Sequence, residues 1–188
     1  MAVNHSALLV MDIQNGIVSR FAEDPKSMLP FQQAVQTARQ TGIQVIFVRV
    51  AFRAGYPEVS GKNKSFSAVT ERGGMTVSDI STQIHDSVAP RSDEPVVTKL
   101  RVSAFCGSDL EVLLRSLQID ALILTGIATS GVVLSTLREA ADKDYKLIVL
   151  SDACLDADPE VHRVLTEKVF PRQADVLTVE EWSKSLLR

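Results

Sequence analysis

Cysteine and histidine are scarce in this chain, with two of the first and three of the second among 188 residues. The cysteines, Cys106 and Cys154, are too few for a disulfide framework, and neither has a partner at a metal-ligand spacing. The histidines, His5, His85 and His162, are dispersed. No metal site and no cofactor are therefore expected. No stretch reaches the roughly 18 consecutive apolar residues of a transmembrane helix, so no membrane partner is expected. The opening MAVNHSALLVMD has no basic segment ahead of its apolar run, which argues against a secretory signal and makes the cytoplasm the expected compartment. Basic residues form no stripe, and a net charge of −3 argues against nucleic acid as a partner.

What is present is a regular alternation of two patterns. Short apolar, β-branched runs occur at residues 7–11, 44–50, 94–99, 120–125, 146–150 and 174–177. They read as strands buried on both faces. Between them lie stretches of helical spacing at residues 28–41, stopped by Gly42, and at 109–117. Others lie at 130–143, at 159–169 opening on Pro159, and from Val179 to about Leu187. Ser108 with Glu111, and Thr178 with Glu181, have the spacing of capping boxes. The expected fold is α/β, a three-layer sandwich with a mostly parallel six-stranded sheet, Rossmann-like, in a single domain over residues 1–188. Residues 51–74 are polar and glycine-rich without a period, and read as an ordered excursion over a pocket. Residues 77–88 are ambiguous, a short helix being one reading.

Two ionisable residues, Asp12 and Lys99, each close a buried apolar strand, so both belong at the carboxyl edge of the sheet. An isolated charge there is costly, and each is the other's natural partner. The segment ALILTGIATSGVVLSTLREAADKDY reads as strand, tight turn and helix, with the strand stopping at Gly126 and the turn formed by Ile127, Ala128, Thr129, Ser130 and Gly131. Open α/β sheets bind ligands at such turns, where a helix start offers backbone N–H groups to an anion. Arg53 and Tyr56, just past the second strand, are candidate substrate contacts. Cys106 precedes a helix start and is a candidate nucleophile, whereas Cys154 reads as a packing residue. Thr129 and Ser130 have no histidine near them in sequence to activate a hydroxyl, and His162 reads as a surface or packing residue.

Taken in order, VMDIQNG, KLRVSAF, GIATSG and DACLDADPEVH resemble the isochorismatase-like hydrolase superfamily, the cysteine hydrolases. That group includes nicotinamidases, carbamoylsarcosine amidohydrolases and isochorismatases. Its turn pattern is roughly G-x-A-T-x-x-C-V. Gly126, Ala128 and Thr129 match it, and Val132 stands at the cysteine. The resemblance implies that Asp12 and Lys99 are the two surviving members of an Asp-Lys-Cys triad, with Asp12 as proton shuttle and Lys99 as electrostatic partner. Val132 is not itself catalytic. The resemblance also implies a cis peptide before Ala128, and it makes Gln14 and Phe105, inside the matched patterns, candidate substrate contacts. The histidine cluster that nicotinamidase-type members carry after strand two is missing from RVAFRAGYPEVSGK. A small-molecule substrate and a homo-oligomer, dimer or tetramer, are implied as well. Three functions follow as alternatives. One is a hydrolase that needs no thiol, with Asp12 as general acid toward a vinyl ether. Another is an amide or C–N hydrolase using Cys106 or an activated water, and the last is a non-catalytic binder.

Overall fold

The computed structural model describes residues 5–22 and 24–186. Its strands are β1 (Ser6–Met11), β2 (Gln44–Val50), β3 (Val96–Lys99), β4 (Ala121–Ile127), β5 (Lys146–Leu155) and β6 (Asp175–Leu177). They form one six-stranded sheet in the order β3-β2-β1-β4-β5-β6, every pair parallel. The chain builds outward from β1 to β3, then returns to the other side of β1 with β4. The sheet therefore has its topological switch between β1 and β4, and a crevice opens at the carboxyl ends of those two strands.

Alternation along β1 shows how the three layers form. Leu8 and Val10 pack on Phe31, Val35 and Ala38 of the helix Leu29–Thr41 and on Trp182 of the helix Val179–Leu186. Leu9 and Met11 point the other way, to Leu110 and Leu114 of Leu110–Ser116 and to Leu137 and Ala140 of Leu134–Asp142. Each full burial of such a side chain is worth about 1.5–3 kcal/mol. Gly42, at φ 73, closes the helix Leu29–Thr41 in the left-handed conformation glycine favours. Thr178 and Glu181 exchange the reciprocal bonds of a capping box, Thr178 N–H to the carboxylate at 2.8 Å and Glu181 N–H to the hydroxyl at 3.2 Å. The expected end of that last helix at Leu187 lies outside the described residues.

Several expectations need correction. β4 does not stop at Gly126 but runs through it to Ile127, because Gly126 pairs with Met11 on one side and Cys154 on the other. A Cβ there would lie 2.7 Å from the Met11 carbonyl oxygen, so only glycine lets the strands close this tightly. β5 continues past a register irregularity to Leu155. The turn after β4 is a wide helical turn over Thr129–Val133 before the α-helix Leu134–Asp142 begins, and a similar wide turn, Leu165–Val169, follows Pro159–Val164. The box at Ser108 and Glu111 does not form. The Ser108 hydroxyl accepts from Leu110 N–H at 3.2 Å, but Glu111 turns outward to Lys143 at 2.7 Å and Arg115 at 2.8 Å. The ambiguous stretch holds two short 3₁₀ turns, Ile80–Thr82 and Asp86–Val88. The excursion after β2 is ordered. It contains the one-turn helix Val69–Arg72, and Val50, Phe52 and Val69 form a small apolar cluster with Tyr56, Phe66 and Met75. A helix that the sequence reading lacked, Asn15–Phe21, follows β1 directly. Among the described residues, no helix is long and apolar enough to cross a membrane.

Candidate active site

Asp12 and Lys99 come from strands separated by β2, and they meet across its end. Asp12 turns out of β1 with φ 58, a left-handed conformation that aspartate tolerates, while its N–H still donates to Val48 O at 2.8 Å. Lys99 Nζ lies 2.9 Å from Asp12 Oδ2 and donates to Arg101 O at 3.0 Å. Both residues are buried, at 5% and 1% exposure. Asp12 Oδ1 is also buried, and it accepts no hydrogen bond from any described residue. Burial pushes the Asp12 carboxyl above its ordinary range, and the charge and hydrogen bond of Lys99 pull the other way without cancelling the effect. The site thus holds a carboxyl with one oxygen anchored, one oxygen without a partner among the described residues, and a raised affinity for a proton.

Gln14 holds this edge of the sheet in place. Its amide donates to Val50 O and Thr82 O, both at 3.0 Å, and accepts from Val50 N–H at 2.9 Å. The side chain forms part of the site wall, but its amide is engaged by backbone.

The turn after β4 faces the pair. The Ile127–Ala128 peptide is cis. Thr129 is fully buried, and its hydroxyl lies 2.8 Å from His162 Nδ1. Thr129 therefore has a histidine partner after all, brought from 33 residues away by the helix Pro159–Val164. Burial lowers the His162 pKa, with nearby Asp156 opposing the shift. Asp156 also accepts the Ser130 N–H at 2.7 Å. Neither Thr129 nor Ser130 lines the cavity beside Asp12. The first contact ties the turn to the helix Pro159–Val164 and the second to the loop after β5.

That cavity has a volume of about 290 Å³. Asp12, Lys99, Ile127, Ala128, Gly131 and Val132 form its sheet side, and Ile17, Arg20 and Phe21 of Asn15–Phe21 form another wall. Phe66, Met75, Ser81, Thr82 and Val102 complete it from loops. Val132, 2% exposed, presents a methyl-bearing wall at the position where the family pattern has a thiol. A wider cleft of about 500 Å³ runs along the helix Leu29–Thr41, but its Arg39 is already held by Glu94 at 2.6 Å. The smaller cavity is the one lined by Asp12, the residue with the unpartnered carboxyl oxygen.

Other candidates lie elsewhere. Arg53 is exposed and paired with Glu58, and Tyr56 donates to Gly74 O at 2.9 Å, so both brace the excursion outside the cavity lining. Phe105 packs in the core against Tyr145, with Lys143 Nζ 5.5 Å from its ring centre. Arg101 donates to Glu58 O at 2.9 Å, fastening the same excursion. Cys106 is exposed and outside the lining, while Cys154 is buried and its thiol is pushed up to about 12. Among the described residues, no group of three or more His, Cys, Asp or Glu side chains could hold a metal ion. Sequence reasoning missed Arg20, Phe66, Met75 and Val102. The one signal available was Ile17 and Phe21, four residues apart and thus on one helix face.

The parallel sheet thus carries an acid–lysine pair at its carboxyl edge, beside the turn that follows β4. The profile of the isochorismatase domain matches residues 6–181, and the chain belongs to the isochorismatase family. It is 31% identical over 202 residues to the ureidoacrylate amidohydrolase RutB of Stutzerimonas stutzeri, covering 96% of this chain and 78% of that protein. It is 32% identical over 184 residues to the isochorismatase family protein YecD of Escherichia coli O157:H7, covering 94% of this chain and 93% of the other. Among solved structures, an isochorismatase family protein from Burkholderia thailandensis superposes with a TM-score of 0.84 at 26% identity, over 98% of this chain and 97% of that one.

Proposed function

We propose that the chain hydrolyses a small molecule without a cysteine nucleophile, using Asp12 as the acid–base group and Lys99 as its electrostatic partner. The observation that carries this reading is Asp12 Oδ1, buried in the cavity wall with no partner among the described residues, on a carboxyl whose pKa is raised. Such a group holds a proton at higher pH than an ordinary aspartate and can deliver it to a bound ligand. An enol ether suits this chemistry. Asp12 gives its proton to the enol carbon, and the C=C π pair forms the new C–H bond. The resulting oxocarbenium ion is captured by water, which returns a proton to the Asp12 carboxylate. The hemiketal then collapses to a carbonyl compound and an alcohol. One water is consumed and no nucleophilic side chain is needed. Lys99, 2.9 Å away, stabilises the carboxylate during the step in which it is charged.

A second reading is favoured by the similarity to an enzyme named ureidoacrylate amidohydrolase. In it, Asp12 as carboxylate activates a water that attacks a ureido or amide carbonyl. Water serves this role better than Cys106, which lies outside the cavity lining. The experiment is a turnover screen against isochorismate, ureido acids and simple amides, run with wild type, Asp12→Asn and Val132→Cys. Isochorismate turnover that survives thiol alkylation and is lost in folded Asp12→Asn supports the acid mechanism. Ureido-acid turnover with the same dependence on Asp12 supports the second reading. No turnover by wild type, with amidase activity arising only in Val132→Cys, refutes both and leaves a binding protein.

A further inference from the structure

The same cavity carries a charge that the acid–base pair does not use. Its ionisable lining residues are Asp12, Lys99 and Arg20. Asp12 and Lys99 are bonded to each other. Arg20 is the ionisable lining residue outside that pair. This residue sits in the last turn of the helix Asn15–Phe21, is exposed, and has no ion pair or hydrogen bond with any described residue. Arg49 and Arg101, by contrast, are held by Gln83 at 2.9 Å and by Glu58 O at 2.9 Å. Ser81, also exposed and on the lining, has a hydroxyl without a partner among the described residues. Arg20 is exposed whereas Asp12 and Lys99 are buried, and Phe21, Phe66 and Met75 give the same cavity apolar walls.

We propose that Arg20 is a specificity-determining residue that anchors a carboxylate at the cavity mouth, so that the site selects small carboxylates with an apolar, flat body over their neutral analogues. This rests on the reading of the cavity as the substrate site. A guanidinium presents two parallel N–H donors that match a carboxylate, and Ser81 adds a hydroxyl donor to the same lining. The volume of about 290 Å³ is small for a ligand pocket and sets the scale of the ligand at a metabolite. A neutral ligand would leave Arg20 unused. The competing role for Arg20 is interaction with the C-terminal dipole of its own seven-residue helix. That role would appear in stability and would not depend on ligand charge.

The test uses two probes of nearly equal shape, trans-cinnamate and trans-cinnamamide, titrated calorimetrically into wild type, Arg20→Gln and Arg20→Lys. Wild type is expected to bind the carboxylate roughly tenfold more tightly than the amide, the scale of a charge-assisted hydrogen bond. Arg20→Gln is expected to bring that ratio to about one while leaving amide affinity unchanged, and Arg20→Lys to retain part of it, since lysine keeps the charge but not the fork. Equal affinity of wild type for the two probes, binding of neither, or a preference that persists in Arg20→Gln overturns the assignment. The ratio reads equilibrium affinity alone, so a failure of the Asp12 chemistry would leave it intact and the two failures are distinguishable.

Discussion

The Asp12–Lys99 pair should behave as a coupled unit in which either single removal is worse than removing both. The ammonium and carboxylate are 2.9 Å apart, with side chains 2% and 7% exposed, so neither can turn to solvent when its partner is lost. In Asp12→Asn, Lys99 keeps the Arg101 carbonyl and an amide oxygen but loses its counter-charge. An uncompensated buried charge costs about 3–5 kcal/mol, which for a chain of this size lowers the melting temperature by roughly 10 °C. In Lys99→Met, Asp12 is left without the group that pulls its pKa down, and its escape is protonation. Because the folded-state pKa already lies above the ordinary 3.8, this contribution to stability is present at acid pH and is lost as pH rises through the folded value. Lys99→Met should therefore cost little in acid and progressively more toward neutral pH. The double variant Asp12→Asn with Lys99→Met buries no charge and should equal wild type or exceed it by about 1–4 kcal/mol. The assay is urea denaturation of all four proteins at two pH values, with unchanged m-values as the check on two-state behaviour. If the single effects sum to the double effect within about 0.5 kcal/mol, the pair is not coupled and the reasoning fails.

Gly126→Ala would drive a Cβ to 2.7 Å from the Met11 carbonyl, directly before Asp12, so it should cost about 1–3 kcal/mol by urea denaturation and lower turnover as well. Thiol titration with a chromogenic disulfide should count one reactive cysteine per native chain, Cys106, and a second only after unfolding, because Cys154 is buried with its thiol pushed up to about 12. Thr129→Val removes the hydroxyl 2.8 Å from His162 Nδ1 and should destabilise by about 1–3 kcal/mol, measurable as a melting shift, since a half-buried imidazole nitrogen is left unpaired.

The strands nearest the site were legible because the chemistry of burial is local. β2 begins and ends where its apolar run does, at Gln44 and Val50. The Asp12–Lys99 contact was readable because a charge closing an apolar strand needs an opposite charge at the same sheet edge. β5 was read short because Ser151 and Asp152 interrupt its apolar run, yet the strand continues past them, and Asp152 serves elsewhere by accepting Val179 N–H at 2.9 Å. Gly126 was read as a stop because glycine marks both turn and close approach, and only the neighbouring β1 backbone distinguishes the two. Glu111 had the spacing of a cap but met Lys143, 32 residues away. The cavity walls were the least legible part. Arg20, Phe66 and Met75 converge from a seven-residue helix and an aperiodic excursion, whereas Arg53 and Tyr56, nearer the strand end in sequence, turn to Glu58 and Gly74.

The acid role of Asp12 is tested most directly by the pH dependence of kcat/KM for isochorismate with the wild-type protein, from about pH 4 to about pH 9. A protonated Asp12 gives a rate that is highest in acid and falls as pH rises through a pKa above the ordinary carboxyl value of 3.8. No turnover, or a rate that rises with pH across the same range, as a carboxylate base or a thiolate would give, contradicts it.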